Sequence, residues 1–313
     1  MCTGKKGQLL NMDFNVLKDQ SPIVVVGTGG SGTRVVNEVL MKCGCYIGRN
    51  LNLALDNMDF AFTFPARITW LRKTFPFETI DQRKSAGEAL SLFLKLNFKQ
   101  RLTLQDRIFY LKIFCEYFER DNFRLLRRKS LHERIENFLT HHRSKPSPVS
   151  ISTVNHVKWG FKLPGATFCL NFLIDSFPGI KIVHVVRDGR DMAFGGNQNL
   201  LLFYAGFFGL PKEYSPRNSF VFWSRVNHWA YDLCTKRLGR DQYHIVRFED
   251  ICLQPKREID KLLAFVDLQS RANNFELYNI PQKIPSIGRW RKNASVLKDV
   301  DESTLRLFGF VLK

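Results

Sequence analysis

The chain has 313 residues, and its hydrophobic content of 44% is ordinary for one large soluble core. No apolar run approaches the roughly 20 residues needed to cross a bilayer, which argues against a transmembrane helix. The 47 Lys and Arg against 29 Asp and Glu give a net charge of +18, which indicates an anionic partner. Residues 1–20 are polar and lack the apolar core of a signal peptide, so we expect a cytoplasmic protein.

The first predicted strand is 22–26, PIVVV. It runs into a loop of glycine, threonine and serine that ends at a helical pattern over 33–43. A strand, a glycine-rich loop and a helix in this order typically hold phosphate, because the loop and the helix N-terminus present unpaired N–H groups. The sequence therefore predicts a phosphate site between the first strand and the first helix.

Residues 66–145 differ from the rest of the chain because they show amphipathic helical patterns and almost no strand signal. They hold 18 Lys and Arg against 9 Asp and Glu. We expect a basic helical insertion that acts as a lid over the sheet, joined to the following strand by the linker 144–150, SKPSPVS.

Strand and helix patterns alternate again after the insertion. The remaining predicted strands are 157–161, 180–186 and 243–248, and the clearest helical patterns are 167–177 and 219–238. Such alternation is typical of an α/β fold with a P-loop-like parallel sheet flanked by helices.

The loop after the first strand fits three kinds of phosphate site. A Walker A loop would carry Lys and then Ser or Thr after its second outer glycine, whereas this chain has Thr33 and Arg34 there. Gly27, Gly29 and Gly32 match the spacing of dinucleotide-binding loops, but the expected acid about 20 residues later is replaced by Arg49, which leaves an NADP-binding variant open. The third kind of loop is built around Ser-Gly-Thr.

A second motif, KIVHVVRDGRD at 181–191, favours the third kind. Its strand runs directly into Arg187, and Arg190 follows one short turn later. A guanidinium at the C-terminal end of a strand is well placed to bind a phosphate group in a bidentate manner. The other interpretation of Arg187 is a structural ion pair with Asp188 or Asp191.

Together these two motifs resemble the sulfotransferases that use 3′-phosphoadenosine 5′-phosphosulfate (PAPS). Three shorter stretches agree in order and spacing: FKLP at 161–164, YHIVRFEDI at 243–251 and IGRWRKN at 287–293. The resemblance implies one sulfotransferase domain over 1–313, with the loop and first βα unit at 21–60, the insertion at 66–145 and the rest of the sheet at 150–313. It also implies PAPS as cofactor, 3′-phosphoadenosine 5′-phosphate (PAP) as product, and no metal.

The resemblance assigns the ends of the cofactor to separate parts of the chain. The 5′-phosphate and sulfate would be wrapped by Gly29, Gly30, Ser31, Gly32, Thr33 and Arg34. The 3′-phosphate would be bound by Arg187, with Arg190 as a second cation and Asn197 as a further donor, because Gly195 stands where relatives often have Ser. The segment that closes over the nucleotide would be Gly288, Arg289, Trp290 and Arg291.

The resemblance also implies a cation beside the leaving group, but Gly30 occupies the position of the Lys or Arg that many relatives carry. Lys162 is our first candidate to replace it, and Arg34 is the second. Asp56 is the preferred general base, with Asp59 and His156 as alternatives. Helix capping is the other interpretation of the two aspartates.

The acceptor is expected to carry a hydroxyl group and to be a saccharide, a lipid or a small alcohol, with anionic or amphipathic character suggested by the basic insertion. No RNP, KH, zinc-finger or helix-turn-helix pattern occurs, so we expect no nucleic-acid partner. An NADP-dependent oxidoreductase and a non-catalytic protein that binds PAPS or another anion remain the alternatives. The sequence leaves the oligomeric state open.

Overall fold

The structure, a computed structural model, describes residues 21–64, 80–98, 100–118, 158–269, 275–282 and 284–310. Within them, four parallel strands form one sheet in the order β2-β1-β3-β4. The strands are β1 (Ile23–Gly27), β2 (Gly160–Lys162), β3 (Lys181–Val186) and β4 (Tyr243–Arg247). The predicted parallel α/β sheet is confirmed. β2 covers 160–162, whereas the predicted strand covers 157–161. Trp159 makes only an isolated bridge to Tyr46 and is not part of the strand.

Helices cover both faces of the sheet and follow the strands in the predicted alternation. Those of the N-terminal half are α1 (Thr33–Lys42), α2 (Met58–Thr63), α3 (Ile80–Asn97) and α4 (Leu104–Phe118). Those that follow β2 are α5 (Leu170–Ser176), α6 (Gly189–Ala193), α7 (Asn199–Tyr204), α8 (Pro216–Arg237), α9 (Phe248–Leu253), α10 (Pro255–Phe265) and α11 (Ser303–Leu307). Short 3₁₀ helices occupy Pro164–Cys169, Ala205–Phe208, Phe275–Asn279 and Arg289–Leu297.

The alternation of side chains along β1 explains why the sheet needs cover on both faces. Val24 and Val26 join one buried cluster, with residues of α2, α3, α5 and α8. Ile23 and Val25 join a second buried cluster, with residues of α1, α9 and α10. Successive side chains of a strand point to opposite faces, and here both sets are apolar and buried. The loops at the C-terminal edge of the sheet are therefore held on a rigid core.

The described part of the insertion packs against the first of these clusters. Phe93 of α3 lies 5.1 Å from the ring of Phe60 in α2 and 5.2 Å from that of Phe161 in β2, measured between centroids. Phe93, the single phenylalanine of this helix, thus belongs to the core. The linker 144–150 and much of the predicted lid lie outside the described residues. In the described part of the chain, no helix is long and apolar enough to cross a membrane.

Candidate functional site

The loop after β1 has a shape that requires glycine. Gly30 and Gly32 have φ angles of 89° and 92°, which side-chain-bearing residues rarely adopt. A Cβ atom at Gly32 would overlap the ring of Phe248, which packs directly against the loop. The loop is further fixed by a bond from the backbone N–H of Ser31 to the carbonyl of Thr28, at 3.1 Å. The chain therefore holds a tight turn directly before the N-terminus of α1.

This turn offers hydrogen-bond donors to an anion. Ser31 is fully buried, and its Oγ has no hydrogen-bond partner among the described residues. The N–H groups of Thr33 and Arg34 at the start of α1 have no acceptor inside the helix, and the helix dipole adds partial positive charge there. The loop can hold a phosphate or sulfate group with these donors.

Arg187 lies directly after β3, beside this loop. Its guanidinium donates to the carbonyl of Gly30 at 3.4 Å and to Oγ of Ser286 at 2.8 Å, and it stacks over the ring of Phe248 with 4.9 Å between Cζ and the centroid. The side chain is buried, and Nε has no partner among the described residues. Burial lowers the pKa of Arg187, and the nearby charge of Arg289 lowers it further. A buried guanidinium with spare donors is suited to an anionic ligand.

Arg190, expected as a second phosphate cation, has other partners. Its guanidinium donates to both carboxylate oxygens of Asp188, at 3.0 and 2.7 Å. The same group stacks over the indole of Trp290 at 4.0 Å from the centroid. Asp188 is also the N-cap of α6. Arg190 thus contributes mainly to the scaffold of the site, and Trp290 packs on it. The ion pair with Asp188 that was the other interpretation of Arg187 is formed by Arg190 instead.

Asp191 ties the C-terminal segment to the end of β3. Its carboxylate accepts the backbone N–H groups of Gly288 at 2.6 Å and Trp290 at 3.1 Å. These bonds hold the C-terminal segment near Arg187, which donates to Ser286 and lies close to the charge of Arg289. Arg289 donates to the carbonyl of Phe194 at 3.4 Å, and its Nε has no partner among the described residues. Asp191 is therefore a positioning residue, whereas the sequence suggested it only as an ion-pair partner of Arg187.

Lys162 and Asp56 form an ion pair at the end of β2. Nζ of Lys162 lies 2.5 Å from Oδ1 of Asp56 and donates to the carbonyl of Ala54 at 2.8 Å. The Lys162 side chain is 3% exposed and that of Asp56 is 18% exposed. Burial lowers the pKa of Lys162, while Asp56 opposes this effect. Two residues expected to share the chemistry are thus brought together, although 106 positions separate them.

The loop that carries Asp56 is held in a defined shape. The side chain of Asn52 accepts the backbone N–H of Asp56 at 2.9 Å and donates to its Oδ2 at 3.0 Å. Leu55 takes a left-handed conformation with φ of 61°, which is unusual for a leucine. The backbone N–H of Asn57 then bonds to the carbonyl of Lys162 at 2.8 Å. The carboxylate of Asp56 is therefore fixed relative to β2.

The remaining chemical candidates lie in different environments. Arg34 is exposed on the first turn of α1, has no hydrogen bond or ion pair with any described residue, and acts electrostatically on Lys162. Asp59 is buried, and its carboxylate accepts from the side-chain amide of Asn50 at 2.8 Å. Asn57 rather than either aspartate caps α2, since its side chain accepts from the N–H of Phe60. His156 lies outside the described residues.

Two further residues at the site carry no clear sequence signal. Thr167 accepts the N–H of Gly27 and donates to its carbonyl, both at 3.2 Å, and so holds the start of the loop. Glu249 accepts the N–H of Asp188 at 3.0 Å, and burial raises its pKa. Both contacts join distant parts of the chain, so only a structure could reveal them. Glu249 lies in the stretch YHIVRFEDI at 243–251, but no local pattern there indicates its contact with Asp188.

Two neighbouring groups of hydrogen-bond donors lie at the C-terminal edge of the sheet. The loop 28–33 offers the buried hydroxyl of Ser31 and N–H groups, and Arg187 offers a buried guanidinium with an unpartnered Nε. Among the described residues, no group of three or more His, Cys, Asp or Glu is arranged as a metal site. The donors at the described site come from backbone, hydroxyl and guanidinium groups.

The described geometry agrees with a comparison to known protein families. Residues 22–272 match the model of the sulfotransferase family. The sulfotransferase domain from the curacin biosynthetic pathway is 13% identical, covers 84% of this chain and 79% of its own, and has a TM-score of 0.43. The sulfotransferase domain of the Synechococcus PCC 7002 olefin synthase is 14% identical and has a TM-score of 0.42. The match covers 94% of this chain and 96% of that domain.

A third solved structure, sulfotransferase STF9 from Mycobacterium avium, is 12% identical, with 92% of this chain and 79% of that chain covered and a TM-score of 0.38. No curated protein sequence matches the chain. These three structural likenesses are distant, and the assignment rests on the family match, which spans most of the chain. The chain belongs to the sulfotransferase family.

Proposed function

We propose that this protein transfers a sulfuryl group from PAPS to a hydroxyl group of an acceptor. The observation that carries the proposal is the pairing of two donor sites. The loop after β1 and Arg187 after β3 lie side by side, with 3.4 Å between the Arg187 guanidinium and the Gly30 carbonyl. PAPS carries a phosphosulfate at its 5′ end and a phosphate at its 3′ end, which matches two adjacent anion sites.

In this proposal the loop holds the 5′ end and Arg187 holds the 3′ end. Ser31, Thr33 and the loop N–H groups bind the 5′-phosphate and sulfate, because anions are favoured at a helix N-terminus. Arg187 binds the 3′-phosphate, and the C-terminal segment with Arg289 and Trp290 closes beside it. We also propose that the chain works as one sulfotransferase domain, since Asp191 ties this segment to the sheet.

The proposed chemistry breaks the bond between the sulfur and the phosphate oxygen of PAPS and forms a bond from sulfur to the acceptor oxygen. Asp56 takes the proton of the acceptor hydroxyl on its carboxylate. Lys162 holds that carboxylate at 2.5 Å and keeps it in place. Catalysis of this kind depends mostly on positioning and on stabilising charge that develops on the leaving group.

Arg34 is our proposed source of the cation near the leaving group. Gly30 has a φ of 89°, so a Lys or Arg at this position would be strained. Nζ of Lys162, our first candidate from the sequence, is already bound to Asp56 and to the carbonyl of Ala54. Arg34 is exposed beside the loop and has no hydrogen bond or ion pair within the described part of the chain. Lys162 is then mainly a positioning residue.

The proposal is tested by calorimetric titration of the full chain with PAP, with NADP and ATP in parallel. We expect PAP to bind more tightly than either nucleotide. A preference for NADP would overturn the proposal and support a dinucleotide-binding protein. Incubation with radiolabelled PAPS and saccharide, lipid or small-alcohol acceptors then measures transfer. Binding of PAP without transfer to any of these classes would favour a non-catalytic PAPS-binding protein.

A further inference from the structure

Helix α4 of the insertion carries apolar residues on two opposite sides. One side is packed, since Ile113 is buried in a cluster with Leu92 and Leu96 of α3, and Phe109 and Tyr110 pack against that cluster. A helix that covers a core with one side normally presents polar residues on the other. α4 departs from this pattern.

The second apolar side of α4 is a stripe of aliphatic residues that face solvent. Leu104, Ile108 and Leu111 are 74%, 59% and 57% exposed. They share one face of the helix, because residues three and four positions apart are neighbours on a helix surface. Single exposed apolar residues are ordinary, but a contiguous apolar patch marks a surface that binds something. We therefore define Leu104, Ile108 and Leu111 as the α4 stripe.

The exposed charges beside the α4 stripe are positive. Arg107 and Lys112 border it on its two sides, and Arg101 precedes the helix; all three are exposed. The carboxylate in the same stretch, that of Asp106, is bound by Nζ of Lys95 at 2.7 Å and is mostly buried. Among the described side chains of this stretch, the charge that reaches solvent is thus entirely positive. An apolar strip between exposed cations is complementary to a surface that is apolar inside and anionic outside.

We propose that the α4 stripe binds an anionic lipid surface without crossing it. The aliphatic side chains enter the boundary between headgroups and acyl chains, and the flanking cations attract the negative headgroups. Phe109 and a 5.0 Å contact between the rings of Tyr110 and Phe62 hold α4 on the core, so the stripe is presented in a fixed orientation. Lipid binding goes beyond the proposed function and does not depend on the identity of the sulfuryl donor.

The same features argue against a second copy of the chain as the occupant. A two-fold interface brings the same patch of both subunits together, so the cations that border one stripe would meet those that border the other. Protein interfaces also concentrate aromatic residues and arginine at their centre. The α4 stripe has aliphatic residues at its centre and cations at its border, which suits lipid better.

The test is sedimentation of the full chain with vesicles of phosphatidylcholine alone or mixed with an equal amount of phosphatidylserine. We expect binding to the mixed vesicles that weakens as salt is raised, and little binding to phosphatidylcholine alone. Ile108→Gln with Leu111→Gln, which keeps good helix formers, should weaken binding by about tenfold or more. Arg107→Gln with Lys112→Gln should weaken it by about 10- to 30-fold.

Matched control pairs remove the same kinds of side chain elsewhere. Leu253→Gln with Val296→Gln removes two exposed aliphatic residues, and Lys236→Gln with Arg240→Gln removes two exposed cations. Both control pairs should bind the mixed vesicles within about threefold of wild type, because charges far from the contact are screened. The α4 pairs should keep the wild-type affinity for PAP in calorimetry, so lipid binding and the proposed function can fail separately.

Three outcomes would overturn the inference. The first is wild type that does not bind the mixed vesicles. The second is binding that the apolar α4 pair leaves unchanged, or that the charged α4 pair and its control lower equally, since net charge alone would then explain it. The third is self-association in light scattering that the apolar α4 pair abolishes, without vesicle binding, which would assign the stripe to a second copy. Melting temperatures check folding, and if the apolar pair does not fold, the charged pair and its control still decide.

Discussion

The site has two parts, one at the C-terminal end of β3 and one at that of β2, and they differ in whether their cations form ion pairs. At the end of β3, Arg187 and Arg289 have unpartnered Nε atoms and no ion pair within the described residues. At the end of β2, Lys162 is paired with Asp56 at 2.5 Å, and the pair is held by the loop around it. Arg187 and Lys162 are both buried, but among the described residues only Lys162 forms an ion pair.

This difference indicates what each end binds. A buried cation without a counterion is costly, so the β3 end is suited to an anion such as phosphate. The ion pair at the β2 end is electrically self-contained, so it is suited to a neutral group such as a hydroxyl, whose proton Asp56 can accept. Substitutions of Arg187, Asp56 and Asp191 test this division, and a substitution of His184 tests the buried strand behind the site.

Arg187→Ala should weaken PAP binding by about 100- to 1,000-fold, because a buried charged partner of the phosphate is lost. Arg187→Lys should recover only part of the affinity, since lysine cannot bind phosphate in a bidentate manner. Calorimetry with PAP measures both, and Arg240→Ala, at an exposed position, serves as control. PAP affinity unchanged in Arg187→Ala would remove the β3 end from the binding site.

Asp56→Asn should lower kcat by about 100-fold and change PAP affinity by less than about threefold, because the amide cannot accept the proton. Asn keeps a hydrogen-bond acceptor for Lys162, so the fold is expected to survive. Steady-state kinetics with the acceptor found by the transfer assay give kcat, and calorimetry gives the affinity. Near-normal turnover would show that another group accepts the proton, with Asp59 as the next candidate.

Asp191→Asn should weaken PAP binding by about tenfold without abolishing it, because one of the two bonds that hold Gly288 and Trp290 is lost. Catalytic turnover at saturating PAPS should stay close to that of wild type. Titration with PAP and kinetics at saturation measure the two effects. Equal losses in affinity and in kcat would mean that Asp191 acts on the chemistry and not through the C-terminal segment.

His184→Gln should leave PAP binding unchanged at neutral pH. It should weaken the dependence of the free energy of unfolding on pH below 7. His184 of β3 is fully buried, with its ring nitrogens 2.8 Å from the hydroxyl of Tyr243 and 2.9 Å from Oδ1 of Asn227. Burial lowers the pKa of His184 from 6.5 to about 4. Between these values the unfolded chain binds a proton that the folded chain does not, so stability falls as the pH falls.

For wild type, this imidazole should reduce the free energy of unfolding by up to about 3 kcal/mol between pH 7 and pH 4. Urea titrations of wild type and His184→Gln over this range measure the difference. If both proteins lose stability with the same pH dependence, His184 is not neutral in the folded state at pH 5.

Much of the fold could be predicted because its signals are local. The apolar runs of β1 and β3 lie within one residue of their predicted ends, since a parallel strand that is buried on both faces reads as a continuous apolar segment. The short strand β2 was less well predicted. Three residues form it, and Trp159 before it makes only an isolated bridge.

The parts of the candidate site that could be predicted are those whose residues lie in one contiguous motif. The loop 28–33 and Arg187 stand in single short stretches, and the structure brings them together. The partners of these groups were not predictable, because Ser286, Asp191 and Thr167 act through contacts across the chain that leave no local pattern. The pairing of Lys162 with Asp56 likewise depends on a fold that joins β2 to the loop after α1.

The most direct test of the account is a crystal structure of the full chain with PAP bound. The account predicts the 5′-phosphate in the loop 28–33 and the 3′-phosphate within hydrogen-bond distance of the Arg187 guanidinium. PAP bound in the reverse orientation, or at a place that leaves both Arg187 and the loop without a phosphate, would contradict the account.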